Sequence, residues 1–169
     1  ELSWGDASVG LSVAIHNGPV AGLITKHGSD GQKERWLPLL ASGEVLGAFA
    51  LSEPGAGSDA GSLTTVAEAS GTGWKLTGTK RWVTNGGRAG LVIVFAQLDG
   101  EGMGAFLVDP TVDGYGVGAR EATMGLRASE TVSITLDGVE VGEGGLLGVV
   151  GRGFPYALEA LDLGRAGIA

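Results

Sequence analysis

The stretch Thr131-Val132-Ser133-Ile134-Thr135-Leu136 runs into Asp137-Gly138. β-Branched and apolar residues alternate with small polar ones, so Val132, Ile134 and Leu136 share one face of a half-buried strand. Asp-Gly is turn chemistry, and the chain is expected to reverse there. Working outward, Leu91-Val92-Ile93-Val94-Phe95-Ala96 is apolar at every position and reads as a strand buried on both faces. Gly104–Val108 reads as another strand, and Leu46–Leu51 as a third. Lys75–Thr84 is long and of mixed polarity, which suggests an edge strand closed by a turn at Gly86-Gly87. The connections are glycine-rich and hold no helix-length insertion, which favours antiparallel pairing in a barrel or a sandwich.

Helical patterns flank these strands. Val9, Val13, His16 and Val20 recur at helical spacing, and Gly18-Pro19 is expected to break the run. Pro19 would then open a second helix, to about Thr25, with Gly28 near its end. Asp30 reads as the cap of a third helix, with Lys33 and Glu34 outward, Trp36, Leu37 and Leu40 inward, and Gly43 at its end. Residues 152–169 return to a helical pattern in which Phe154, Leu158 and Leu161 share a face. The expected class is therefore α+β. An antiparallel, barrel- or sandwich-like middle domain, residues 46–147, lies between helices of two truncated all-α domains, residues 1–45 and 148–169. Glu1 leads straight into an apolar run and Ala169 falls inside a helical pattern, so a segment of a longer protein is expected.

Composition narrows the function. Glycine supplies 33 of 169 residues with no triplet period, so a collagen-like chain is excluded. The net charge is −8 and the basic residues are scattered, which leaves no footprint for nucleic acid. Cysteine is absent, which removes disulfides, thiolate chemistry and thiolate-bound metals. His16 and His27 have no partner cluster, so no metal site is expected. No apolar run of membrane-spanning length and no leader segment is read. A cytoplasmic protein without a membrane span is expected.

The chemistry rests on three short motifs. In Ser52-Glu53-Pro54-Gly55-Ala56-Gly57-Ser58-Asp59, free backbone N–H groups and the Ser58 hydroxyl suit a phosphate, or the stretch is a surface turn. It is neither a Walker loop nor a dinucleotide fingerprint, since no Gly-Lys-Ser/Thr and no helix pattern follow. In Trp82-Val83-Thr84-Asn85-Gly86-Gly87, the indole could lie against a flat ring with Thr84 at that ring's edge, or Trp82 is core before a hairpin turn. In Gly125-Leu126-Arg127-Ala128-Ser129-Glu130-Thr131, Arg127 either holds a phosphate or pairs with Glu130.

Together and in this order, Leu51–Asp59, Gly78–Gly86, Met124–Thr131 and the terminal Asp162-Leu163-Gly164-Arg165 resemble the acyl-CoA dehydrogenase family over nearly the whole chain. The resemblance implies FAD as cofactor. Phe49, Leu51 and Ser52 would lie beside the flavin, Gly57 and Ser58 along its pyrophosphate, Trp82 over its ring and Thr84 near N5. Ser58, Asp162 and Arg165 would meet the acyl-CoA substrate. The implied reaction is α,β-dehydrogenation of an acyl-CoA thioester, with hydride passing to flavin N5 and electrons onward to an electron-transferring flavoprotein. A homo-oligomer, dimer or tetramer, is implied, in the cytoplasm or in the mitochondrial matrix of a eukaryote. The catalytic carboxylate is expected after Ala169, so no residue of this chain is assigned as catalytic, and Glu53 and Glu159 are not given that role. Acyl-CoA oxidases and flavin monooxygenases share the scaffold. A non-enzymatic β-rich binding module is the remaining alternative.

Overall fold

The computed structural model describes residues 1–168, with side chains through Arg165. Seven strands form one sheet: β1 (Gly47–Ala50), β2 (Val66–Ser70), β3 (Gly73–Thr84), β4 (Leu91–Leu98), β5 (Gly102–Val108), β6 (Tyr115–Arg120) and β7 (Thr131–Val141). Among the described residues, the helices α1 (Leu2–Gly5), α2 (Ala7–His27), α3 (Asp30–Ser42) and α4 (Gly153–Ile168) accompany them, with a single 3-10 turn at Glu143–Gly145.

The alternation of β4 organises the core. Leu91, Ile93 and Phe95 face the helices, packing with Val20, Leu23, Ile24, Trp36 and Ala157. Val92, Val94 and Ala96 face the other way, into a second core shared with Val132, Ile134 and Leu136 of β7. β4 and β7 are separated by two strands in the sheet order, so this shared core requires the sheet to curl on itself. The expected α+β class with a curled β domain between helices is what the chain forms.

Several details differ from the sequence reading. Most pairings are antiparallel, but β1 and β2 both run parallel to β4, with Phe49 opposite Ile93 and Val66 opposite Gln97. A parallel pairing needs a long crossover, and here the β2–β3 hairpin lies in the connection from β1 to β4. β3 is not an edge strand; it lies between β2 and β7, and its polar residues Thr77, Thr79 and Arg81 hid that position. β2 and β6 carry too few large apolar residues to be read as strands.

Asp137-Gly138 does not reverse the chain. β7 continues to Val141, and the pair forms a bulge in which Asp137 and Gly138 stand opposite Thr77 alone. Gly138 takes a positive φ of 65°, as such a bulge requires. The extra residue also shifts the inward set from Val132, Ile134 and Leu136 to Val139 and Val141, keeping one apolar face throughout.

Pro19 does not break its helix. Ala7–Ile15 passes into π-helical turns at His16–Gly22 and back to α-helix at Leu23–His27. Proline cannot donate the i−4 bond, and the wider turns accommodate the loss. By length and composition α2 could cross a membrane, contrary to the expectation that no such stretch exists. Its second half packs into the core, where Val20, Leu23 and Ile24 have no exposed surface. His16 Nδ1 accepts from the Gly47 N–H at 3.0 Å, so its Nε2 carries the proton and donates to the Leu40 carbonyl at 3.0 Å. α3 is capped by Ser29, not Asp30, through a reciprocal pair in which Ser29 and Gln32 each bond the other's backbone N–H. Gly43 ends it in the left-handed conformation, as expected.

Candidate functional site

The site is built by one irregularity in β3. Lys80 lies opposite Ile134 and Val83 opposite Val132, so Arg81 and Trp82 share the single partner Ser133. Trp82 takes a φ of 59°, a conformation costly for a bulky residue. The bulge shifts the phase of the strand, so that residues two apart, Lys80 and Trp82, face opposite ways and Val83 returns inward. Lys80 is fully buried, whereas Trp82 stays half exposed at 52%. Bulges that re-aim a side chain in this way concentrate beside active sites.

Trp82 projects over the end of β1. Phe49, Leu51, Ser52, Trp82 and Thr84 line one cleft of about 140 Å³, together with Arg81, Ile15 of α2 and Leu161 of α4. Five of the seven residues expected around a flavin thus converge here from separate stretches of chain. Gly57 borders the same place, since a Cβ on it would come within 3.9 Å of the Trp82 ring. Ser58 is exposed on that loop and does not line the cleft. Asp162 and Arg165 pair with each other at 3.0 Å on the exposed face of α4, one residue beyond Leu161. A roomier cleft of about 310 Å³ lies beside Arg35, Asp109 and Glu140, but it gathers none of the motif residues.

Asn85 holds the surroundings together. It takes a left-handed φ of 66°, and its Nδ2 donates to the carbonyls of Ser12 and Gly47, both at 3.2 Å. The α2 wall is thereby joined to β1 next to the cleft. Arg127 does not pair with Glu130, whose closest cation is Arg88 at 3.8 Å; its own carbonyl instead accepts from Arg120.

Behind the cleft lies an ion pair that the sequence reading missed. Lys80 Nζ donates to Glu53 Oε1 at 2.7 Å and to the Leu51 carbonyl at 3.1 Å. Glu53 also accepts from the Thr64 N–H and hydroxyl, each at 2.6 Å, and from the Thr65 N–H at 3.0 Å. Burial disfavours the Glu53 carboxylate, but Lys80, Thr64 and Thr65 outweigh it and hold its pKa down to about 2. A carboxylate so thoroughly bonded has no free lone pair for proton abstraction. Glu159 is likewise committed, to Lys26 Nζ at 2.7 Å and His27 Nε2 at 3.0 Å. The available signal for the pair was parity. Lys80 follows Leu76 and the glycine at 78 on the inward side of β3, where a lysine must find a partner.

The cleft suits a flat heteroaromatic ring. Trp82 supplies an exposed aromatic plate, Ser52 and Thr84 supply half-buried hydroxyls, and Phe49 supplies an apolar wall. Among the described residues, no cluster of His, Asp and Glu could hold a metal.

Comparison with known proteins gives consistent matches. The family model "acyl-CoA dehydrogenase, middle domain" matches residues 48–139, and "acyl-CoA dehydrogenase, N-terminal domain" matches residues 1–44. The mitochondrial short-chain specific acyl-CoA dehydrogenase of Bos taurus is 43% identical over all of this chain, which spans 42% of that protein. A solved FAD-dependent dehydrogenase superposes with a TM-score of 0.94 at 31% identity, over 96% of this chain and 45% of its own. A structure described as an electron transferring flavoprotein of Acidaminococcus fermentans, in work on electron bifurcation, contains a chain matching at a TM-score of 0.93 and 36% identity. That match covers 96% of this chain and 44% of the other.

Proposed function

The chain belongs to the acyl-CoA dehydrogenase family, and from that premise we propose that the protein carrying it is an FAD-dependent acyl-CoA dehydrogenase. The observation that carries this reading is the convergence of Phe49, Ser52, Trp82 and Thr84 on one cleft. The bovine relative supports a short acyl chain as substrate.

When bound, FAD would supply the hydride acceptor. The chain's own residues bind and orient. Trp82 and Phe49 hold the ring plane and keep water from it, and the Ser52 and Thr84 hydroxyls satisfy its polar edge. Gly57 leaves the backbone open to the pyrophosphate beside Trp82. Ser58, Asp162 and Arg165 meet the acyl-CoA on the side that α4 borders. In the reaction the thioester's Cα–Cβ single bond becomes a double bond: the α proton goes to a carboxylate, and the β hydrogen leaves with its electron pair. We place that carboxylate outside this chain, as the family resemblance implies; neither Glu53 nor Glu159 lines the cleft. We assign residues 1–45, 46–147 and 148–169 to an N-terminal helical domain, a flavin-contacting β domain and the start of a C-terminal helical domain.

An electron-transferring flavoprotein is the proposed electron acceptor, which the Acidaminococcus neighbour supports. The working form is a homodimer or homotetramer, in the cytoplasm or in a mitochondrial matrix. The test is an anaerobic titration of the full-length protein, and of the 169-residue chain, with a panel of acyl-CoA chain lengths. The flavin band of the full-length protein bleaches with the right chain length and returns slowly in air, while the 169-residue chain with added FAD turns over nothing. Rapid return with peroxide release makes the protein an oxidase. Turnover by the 169-residue chain places the base within it and overturns the assignment.

A further inference from the structure

Lys80 and Arg81 act on consecutive peptides of the cleft wall. Lys80 Nζ bonds the Leu51 carbonyl at 3.1 Å, and the Arg81 N–H bonds the Ser52 carbonyl at 2.8 Å. A peptide is planar and trans, so a carbonyl drawn inward turns the N–H of the same peptide outward. The Ser52 N–H therefore points away from Lys80. With the carbonyls on both sides of Ser52 fixed, its backbone angles are fixed, and so is the direction of its Cα–Cβ bond at the cleft.

The anchor is held in its turn. Lys80 is fully buried, and Glu53, which is 1% exposed, both neutralises and orients it. Glu53 is tied to Thr64 and Thr65 on the far side of the loop that carries Gly57. One ion pair thus joins the wall residues Leu51 and Ser52, the Gly57 loop and the strand that presents Trp82. Retaining a buried ion pair is a poor route to stability, because an apolar replacement of similar volume is often at least as stable. A pair that reaches a cleft carbonyl directly fits a positioning role instead.

We propose that Lys80, oriented by Glu53, is a positioning residue for ligand binding: it sets the Leu51–Ser52 peptide so that the Ser52 N–H and hydroxyl are presented to the ring in the cleft. This rests on the flavin reading above. The role differs from that of the residues lining the cleft, since Lys80 acts only through the backbone it bonds.

The experiment uses the full-length protein with Glu53→Gln/Lys80→Met, in which no buried charge is left unpaired, and Lys80→Met alone. Val139→Ala serves as the comparison. Val139 is fully buried in the sheet core opposite Leu76, away from the cleft, and its truncation lowers stability without touching Leu51 or Ser52. FAD occupancy, the shape of the flavin visible band and the thermal midpoint are read on each. The expected result is a folded double variant with at least tenfold weaker FAD retention and an altered band, while Val139→Ala keeps parent-like flavin at a lowered midpoint. Parent-like affinity and band shape in the double variant overturn the proposal and leave the flavin reading standing. So does flavin loss in Val139→Ala that matches its drop in midpoint. A parent protein that binds no flavin overturns both.

Discussion

Trp82 and Glu53 show what a single residue contributes. Trp82 is half exposed on a strand with a left-handed φ of 59°, so the fold bears strain to put an indole in the cleft. Trp82→Ala in the full-length protein is expected to weaken FAD retention while leaving the melting midpoint of the flavin-free protein nearly unchanged, because the indole is not part of the sheet core. Equilibrium dialysis alongside calorimetry checks both, and unchanged FAD affinity would show that the indole is not the ring's neighbour. Glu53 gives the pH signature. Its folded pKa lies near 2, below the ordinary 4.5, so its contribution is complete above about pH 4.5 and is lost as the pH falls toward 2. Denaturant unfolding at steps between pH 6 and 2.5 is expected to show stability falling in that window, and less steeply in Glu53→Gln/Lys80→Met. An identical pH profile in the two proteins would remove Glu53 from that role. The cleft residues were legible because they sit in motifs with distinctive order. Lys80 was not, because a lysine between Thr79 and Arg81 looks solvated until the strand's inward parity is known.

At the scale of elements, β3 and β7 owe their shape to two bulges, and both escaped the sequence reading. A bulge leaves alternation intact on either side and changes only its phase. In β7 Asp137-Gly138 therefore looked like a turn, and in β3 the mixed polarity looked like an edge. By contrast β4, apolar at every position, and the alternating half of β7 were readable because burial on two faces, or on one, leaves a direct mark on composition. Pro19 misled for a related reason: its chemistry forbids one α-helical hydrogen bond, and π-helical turns met that constraint without ending the helix. Gly78 pairs with Leu136 beside the Asp137-Gly138 bulge and packs close to Thr65, so a Cβ there would lie 2.7 Å from the Thr65 Cα. Gly78→Ala is expected to cost more than about 2 kcal/mol, as overpacking at a backbone contact does. Denaturant melts measure this, and a loss below about 0.5 kcal/mol, the range of an ordinary surface change, would mean the two backbones separate easily.

Over the whole molecule, the apolar surface is unevenly distributed. Leu2, Trp4 and Val9 on the first helices and Phe154, Leu158 and Leu163 on α4 are all exposed, Trp4 at 96%. Of the α4 face that its spacing marked as apolar, Phe154 and Leu158 are exposed while Leu161 packs against the core, and Tyr156, Ala157 and Ala160 are buried there. Exposed apolar side chains in such number favour association. The 169-residue chain is expected to associate with rising concentration in sedimentation velocity, and a strictly monomeric boundary up to about 100 μM would show that these faces are well solvated. The sheet, the cleft and the helices that border it form one arrangement, with the β3 bulge at its centre. If this cleft seats the flavin ring, a crystal structure of the full-length protein with FAD bound shows ring density against the Trp82 indole, with Thr84 and Ser52 within hydrogen-bond distance of the ring's polar edge. Ring density anywhere else, or a Trp82 indole packed against protein with the ring remote from it, would contradict the claim.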